Sequence, residues 1–342
     1  MKIFYAIQAT GNGHLSRATQ LYPYLKKMGE VDFFVSGNNA SLNVPFPVKY
    51  KSKGVSLQYS TCGGLDYLSI LKGIRVPSLV REALQLPLKN YDMVINDFEC
   101  VTSMACLIQK QPSVQFGHQA SFRSPNTPRP EKEDVLGEWI FKNYARSTQY
   151  LGLHFQEYDD YIFPPVIKDV FLKSEPSDHG HVTIYLPAYE KSCLLETLKA
   201  MKGIEFHWFL PEIINSYREG NITYFPVFQE LFNESLLTCH GVITGGGFET
   251  PSEALYLGKK LLSIPIRKHY EQKCNAAALN QMGIQVLDDI DDSFADIVKV
   301  WYQSPRVPIE IRANQIQETL QYLSDHYPYR KHKQTEESAL FI

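Results

Sequence analysis

Among its six cysteines (Cys62, Cys100, Cys106, Cys193, Cys239 and Cys274) the sequence has no Cys-x-x-Cys pair. That spacing argues against a structural zinc site and outlines no disulfide framework, so reduced thiols in a cytoplasmic protein are the expectation. Long apolar runs are missing too. No stretch approaches the ~18 residues of a membrane span. The run Ile3 to Ile7 is cut short by Gln8 and Thr10, too early for the core of a secretory signal. Charge of one sign is not in excess: a net −3 over 342 residues gives no ground for general nucleic-acid binding. There is no short internal repeat and no low-complexity tract. What remains is 44% hydrophobic and 21% charged residues, a globular composition long enough for two domains.

The chain reads as alternating strands and helices. Lys2 to Ala9 is a strand, Gly11-Asn12-Gly13-His14 a tight turn, and a helix runs from about Leu15 to Met28 before Gly29. Pro23 inside it predicts a kink or a shifted start. Val31 to Ser36 is the next strand, so the chain opens a parallel α/β sheet. Gly11-x-Gly13-x-x-Ser16 lacks the third glycine of a dinucleotide fingerprint, and Asp32 lies inside a strand, so a nicotinamide or flavin role is not expected. Tyr91 to Asp97 is a buried strand ending in an acid. In parallel sheets ligands collect at carboxyl ends of strands, which puts Asp97 and His14 on one rim if their strands are neighbours. Capping of the helix from Cys100 is the structural alternative for Asp97, and a turn hydrogen bond is the alternative for His14. His118, Gln119 and Arg123 follow another strand end, over Ser113 to Phe116.

Phe163-Pro164-Pro165 reads as the start of a linker, after which the pattern restarts with strands at Val182 to Leu186, Glu205 to Leu210 and Asn221 to Phe225. The predicted division is a domain over 1–163, a linker over 164–176, a domain over 177–328 and a polar tail over 329–342. Each half carries its own βαβ series, so the predicted class is α/β with two similar domains facing each other.

The most informative stretch is Gly241 to Ala278. An apolar run ends at Ile243, Gly245-Gly246-Gly247 follow, and Thr250-Pro251-Ser252-Glu253 opens a helix. Consecutive glycines let a ligand approach the backbone. The first N–H groups of the helix lack partners, and the helix dipole favours an anion there. Thr250 fits the N-cap and Pro251 the first helical position. A capping box between Thr250 and Glu253 explains the same residues without a ligand.

Taken in order, Gly246-Gly247, Thr250, Glu253-Ala254-Leu255, Gly258, Pro265, Glu271-Gln272 and Asn275-Ala276 resemble the donor-binding segment of two-domain glycosyltransferases of the GT-B fold, in particular the UDP-sugar transferases and the peptidoglycan N-acetylglucosaminyl transferase. Gly11-x-Gly13-His14 resembles the family's N-terminal glycine-histidine turn. The resemblance implies two Rossmann-like domains across a cleft, with the acceptor held by the first and the nucleotide sugar by the second. It implies that backbone at Gly246, Gly247 and Thr250 binds a diphosphate, that Glu253 receives the ribose hydroxyls, and that Glu271 and Gln272, with Asn275 beside them, contact the sugar. Phe225-Pro226-Val227 is similar to the piece that holds the base. Gly13, His118, Gln119 and Arg123 are assigned to the acceptor.

The implied reaction is transfer of a sugar to a hydroxyl with inversion, His14 acting as general base and Asp97 orienting its imidazole. The nucleotide sugar is a co-substrate, and neither a cofactor nor a metal is required. Asp288 to Asp292 reads as a solvated loop or a helix N-cap. One departure stands out: Gly245 occupies the position where many relatives carry a phosphate-binding histidine. Lys259-Lys260 lie too far along to replace it, His240 sits at the strand's start, and Arg267 and Lys268 are candidates that read equally as loop charges. The aromatic content permits a lipid-linked acceptor and contact with the inner face of a membrane without requiring either. A nucleotide-sugar epimerase of the same fold and a non-catalytic nucleotide-sugar-binding protein are the rival readings.

Overall fold

The structure, a computed structural model, describes residues 1–37, 44–54, 59–60, 64–65, 76–309 and 311–327. The tail expected over 329–342 lies outside the described residues. Among the described residues nine strands come from the first half: β1 (Lys2–Gln8), β2 (Glu30–Ser36), β3 (Val48–Ser52), β4 (Tyr59–Ser60), β5 (Gly64–Leu65), β6 (Met93–Asp97), β7 (Val114–Gly117), β8 (Gln149–Leu153) and β9 (Ile162–Phe163). Seven of them form a parallel sheet in the order β3-β2-β1-β6-β7-β8-β9, and β4 and β5 pair separately. The second sheet joins β10 (Val182–Tyr185), β11 (Phe206–Phe209), β12 (Tyr217–Glu219), β13 (Ile222–Phe225), β14 (Gly241–Thr244), β15 (Lys260–Ser263) and β16 (Gln285–Val286). Its order is β12-β13-β11-β10-β14-β15-β16, and β12 alone pairs antiparallel.

These strands form where the sequence offers short apolar runs between glycine or polar breaks. β6 and β14 are buried along their whole length, as parallel strands covered on both faces must be. The chain is therefore α/β with two parallel-sheet domains, as the βαβ alternation predicts. β1 and β6 are direct neighbours, with Ile7 opposite Asp97, so the glycine turn and Asp97 do share one rim.

Three details depart from the sequence reading. The first helix spans Asn12–Met28 with Pro23 inside it, so it begins within the turn, earlier than expected, and takes His14 into its first turn. The last helix, Ile316–His326, returns to the first domain. Tyr327 Oη accepts from Val94 N at 2.8 Å and donates to Pro112 O at 2.7 Å, so these residues pack away from the domain they follow in sequence. Long-range packing of this kind leaves no local signal. Among the thiols, Cys100, Cys106, Cys239 and Cys274 are free, whereas Cys193 is disulfide-bonded. The expectation of reduced thiols throughout is corrected there, because spacing alone carries no information on which cysteines meet. Among the described residues no helix is long and apolar enough to cross a membrane.

At the amino ends of β10 and β11, far from the glycine turns, His181 and His207 stack with centroids 3.7 Å apart. His207 Nδ1 lies 3.0 Å from Ser235 Oγ. Burial, reinforced by the neighbouring His181, pushes His207 down from 6.5 to about 4, and burial lowers His181 as well. Both rings are neutral in folded and unfolded chains above pH 6.5. As the pH falls from there towards 4, the unfolded chain takes up protons first and the fold loses stability. The melting temperature is expected to drop by a few degrees between pH 7 and pH 5, and His207→Phe to flatten that drop. Calorimetric scans across this range check it.

Candidate active site

The site lies where the carboxyl ends of the two sheets face each other. On the first domain, β6 ends at Asp97 and Phe98 turns the chain at φ 56°. Asn96 brackets this bend, its side chain accepting from Glu99 N at 2.6 Å and donating to Glu99 O at 2.8 Å. Glu99 then caps the helix Cys100–Gln109 through Val101 N and Thr102 N. Helix capping is thus done by Glu99, and Asp97 is left to the rim.

Asp97 is fully buried and its Oδ1 lies 2.9 Å from His14 Nδ1. Arg17 Nη2 lies 3.1 Å from the same Nδ1; in the tautomer that donates its Nδ1 proton to the carboxylate, the unshared pair of the neutral ring is on Nε2. Burial works to lower His14, but the charge of Asp97 and their hydrogen bond outweigh it, and the net direction is upward. For Asp97, burial is outweighed by Arg17 and His14, which hold the carboxyl below its usual range.

Arg17 follows His14 by one turn of the same helix, and its Nη2 donates to Asp97 Oδ1 and Oδ2 at 2.8 and 2.9 Å. Its Nη1 donates to Glu249 of the second domain. Gly13 is where Glu249 comes close: a Cβ there would sit 2.6 Å from Glu249 Oε2. The sequence reading missed both Arg17 and Glu249. The i, i+3 spacing of His14 and Arg17 was the available signal.

On the second domain, the helix spans Glu249–Tyr256, and no side chain caps its amino end. Thr250 is therefore inside the first turn and not the N-cap. Glu253 does not close a capping box either. Its carboxylate takes Lys168 Nζ at 3.1 Å, and that ammonium also donates to Asn233 Oδ1 at 3.3 Å. Burial raises Glu253, opposed by Lys168. Lys168 sits on the connection between the two sheets, so nothing local in the sequence pointed to it.

The glycine turn is braced from behind. Gln272 Oε1 accepts from Gly246 N at 3.1 Å and from Ile266 N at 2.8 Å, and Asn275 Nδ2 donates to Gly246 O at 2.9 Å. A Cβ on Gly246 would lie 2.7 Å from Gln272 O, which explains the glycine. Gln272 and Asn275 thus shape the turn. Asn275 Oδ1 also meets His118 Nε2 at 2.7 Å, and Glu271 Oε2 accepts from Gln119 Nε2 at 3.0 Å. His118 is buried, its Nδ1 2.9 Å from Leu153 O and its ring stacked on Phe248 at 4.0 Å. His118 and Gln119 are therefore contacts between the domains, whereas the sequence reading gave them to the acceptor. Arg123 is not brought to the site: it donates to Lys142 O and Tyr150 Oη.

Between the two glycine turns lies a cavity of about 260 Å³, lined by Gly11, Asn12, Gly13, Lys168, Tyr185, Val227, Gly247, Glu249, Thr250 and Glu253 among others. Val227 lines this cavity. Lys168 is the cation among the described lining residues, and Arg267 and Lys268 are not among them. Lys259 and Lys260 are buried donors to Ser177 O and Cys239 O, and to Trp301 O, Tyr302 O and Ser304 O. Arg267 pairs with Asp289, and His240 faces Asp178 and Tyr302 O away from the cavity.

A family model described as "Glycosyl transferase family 1" matches residues 1–305. The chain belongs to this glycosyltransferase family. Several solved glycosyltransferases share the fold of the whole chain. LpCGTa in complex with UDP has a TM-score of 0.60 at 14% identity, covering 95% of this chain and 98% of that one. Phytolacca americana UGT2, complexed with UDP-2fluoro-glucose and pterostilbene, has a TM-score of 0.55 at 14% identity, covering 95% and 93%. MurG of Acinetobacter baumannii has a TM-score of 0.55 at 12% identity, covering 95% and 99%. Among curated proteins none matches the sequence. The fold is the two-domain GT-B arrangement expected from the two glycine motifs, and this glycosyltransferase places both motifs on one cavity.

Proposed function

We propose that the protein transfers a sugar from a nucleoside diphosphate, with UDP the favoured nucleotide, to an acceptor hydroxyl with inversion. One observation carries the reading: a single cavity is lined by Gly11 to Gly13, directly before the His14–Asp97 pair at 2.9 Å, and by the uncapped amino end of the helix Glu249–Tyr256. The acceptor oxygen gives its proton to His14 Nε2 as it bonds to the anomeric carbon, and Asp97 stabilises the imidazolium. The anomeric carbon–phosphate oxygen bond breaks, and its electron pair leaves with the diphosphate. The backbone N–H groups from Gly247 to Thr250 meet the developing charge, so the scheme routes no step through a metal or cofactor. Attack from one domain and departure towards the other is an in-line displacement, which inverts the centre.

Glu253, paired with Lys168, would take the ribose hydroxyls. Glu253→Ala is expected to weaken UDP binding by roughly 10- to 100-fold, the worth of hydrogen bonds to a charged group. Calorimetric titration measures it. The cavity, about 260 Å³, lies at the lower edge of the span of roughly 300–1,000 Å³ usual for small-molecule pockets, and a parting of the two domains would widen the way in for a nucleotide sugar. Acceptors in the reading include lipid-linked ones reached from the inner face of a membrane.

The test is titration with UDP and TDP, followed by donor consumption with and without acceptor pools. Consumption that needs acceptor supports transfer. Conversion of donor without acceptor would favour an epimerase, and binding without turnover a non-catalytic protein.

A further inference from the structure

The mechanism leaves Arg17 unused, although its side chain is only 2% exposed and its guanidinium is the most densely paired group in the site. One Nη bonds both oxygens of Asp97, and the other bonds Glu249. Asp97 belongs to the first sheet, and Glu249 opens the helix Glu249–Tyr256 of the second domain. Space around the cluster is closed on both sides. A Cβ on Gly13 would meet Glu249, and one on Gly117 would come 2.6 Å from Asp97 Oδ1 and 3.2 Å from Arg17 Nη2.

A buried cation is tolerable here only because two carboxylates answer it. A planar guanidinium can serve both from one position, whereas a lysine ammonium is a point charge that serves one. Glu249 also needs its partner. It stands in the first turn of the helix assigned to the diphosphate, where an unpaired carboxylate would repel the donor.

We propose that Arg17 is a positioning residue that registers the His14–Asp97 pair of the first domain against the Glu249–Tyr256 helix of the second. Base and donor are then in line only when the domains are closed. Opening to admit the donor breaks the Arg17–Glu249 bond, and closure restores it. The word donor rests on the transfer reading above; the charge bridge does not.

The groups facing His14 are Asp97 from β6, Arg17 on its own helix, Glu249 from the facing domain, and Glu271 from the helix Tyr270–Gln281, with Tyr5 of β1 beside Asp97 and Arg17. The experiment follows the His14 ring by NMR across pH in the wild type, Arg17→Gln, Arg17→Lys and Glu249→Gln, beside kcat and donor KM. Arg17→Gln is expected to raise the His14 titration by roughly 1 unit, since a cation that disfavours the imidazolium is gone. Glu249→Gln lowers it, and Arg17→Lys leaves it near the wild type. Arg17→Lys and Glu249→Gln each lower kcat by about 10- to 100-fold with little change in KM, as lost alignment does. The double variant is no slower than the slower single, because both break one bridge.

Multiplying losses, or a His14 titration that stays put in Arg17→Gln and Glu249→Gln, overturns the proposal. If Arg17→Gln does not fold, the Arg17→Lys and Glu249→Gln pair decides it. If the wild type transfers no sugar, the transfer reading fails, while the NMR titrations still decide whether Arg17 and Glu249 act on His14.

Discussion

His14→Ala is expected to lower kcat/KM by roughly 10²- to 10⁴-fold while UDP affinity stays at the wild-type level. The two halves of that expectation come from different domains. The ring lies on the first turn of Asn12–Met28, against Asp97, and the helix assigned to the nucleotide belongs to the second sheet. Removing the imidazole takes away the group that accepts the proton and leaves Glu253, Lys168 and the glycine turn in place. Initial rates with saturating acceptor, beside calorimetric UDP titration, separate the effects. An undiminished rate would remove His14 from the chemistry, and a parallel loss of UDP affinity would move it to the donor.

Asp97→Asn carries the second large effect, and its sign in pH is the more telling part. Burial lowers His14 and Arg17 lowers it further, while Asp97 is the chief influence raising it. In the wild type the acidic limb of the rate profile is therefore expected above pH 6.5, because the base works only when neutral. In Asp97→Asn that limb moves below pH 6.5. The ring is then neutral at pH 7, yet the rate is expected to fall by roughly 10²-fold or more, because the imidazolium has lost its counter-charge and the ring its orienting acceptor. A profile that keeps its limb would deny the contact its role. Stability is expected to suffer too. Breaking a buried ion pair costs roughly 3–5 kcal/mol; the bond from Arg17 to Glu249 and the amide oxygen left at residue 97 hold the loss below that.

Much of this arrangement was legible in the sequence because it rests on local patterns. Glycine turns between apolar runs and helices mark the ends of β1 and β14, and the acid ending the run Tyr91 to Asp97 marks the rim. The pairing of β1 with β6 then follows once the sheet forms. What was not legible is carried by contacts between distant segments. Thr250 and Glu253 have the spacing of a capping box, but Lys168, from the chain between the sheets, draws Glu253 away. His118 and Gln119 looked like residues of an open cleft, and the closed domains instead spend them on Asn275 and Glu271. Arg123 stands at a strand end as expected, but Tyr150 and Lys142 hold it elsewhere. Glu249, which the sequence reading passed over, takes its partner Arg17 from the facing domain. Each miss is a polar side chain whose partner lies far off in sequence, where spacing says nothing.

The measurement that bears most directly on the proposed transfer is the anomeric configuration of the product. The protein is supplied with a nucleotide sugar of defined α configuration and an acceptor that supports turnover, and the new linkage is read from its anomeric proton coupling by NMR. In-line attack from the His14 side on a diphosphate held by the opposite domain is expected to give the β linkage. An α-linked product would contradict it, since retention calls for a different path at the anomeric carbon.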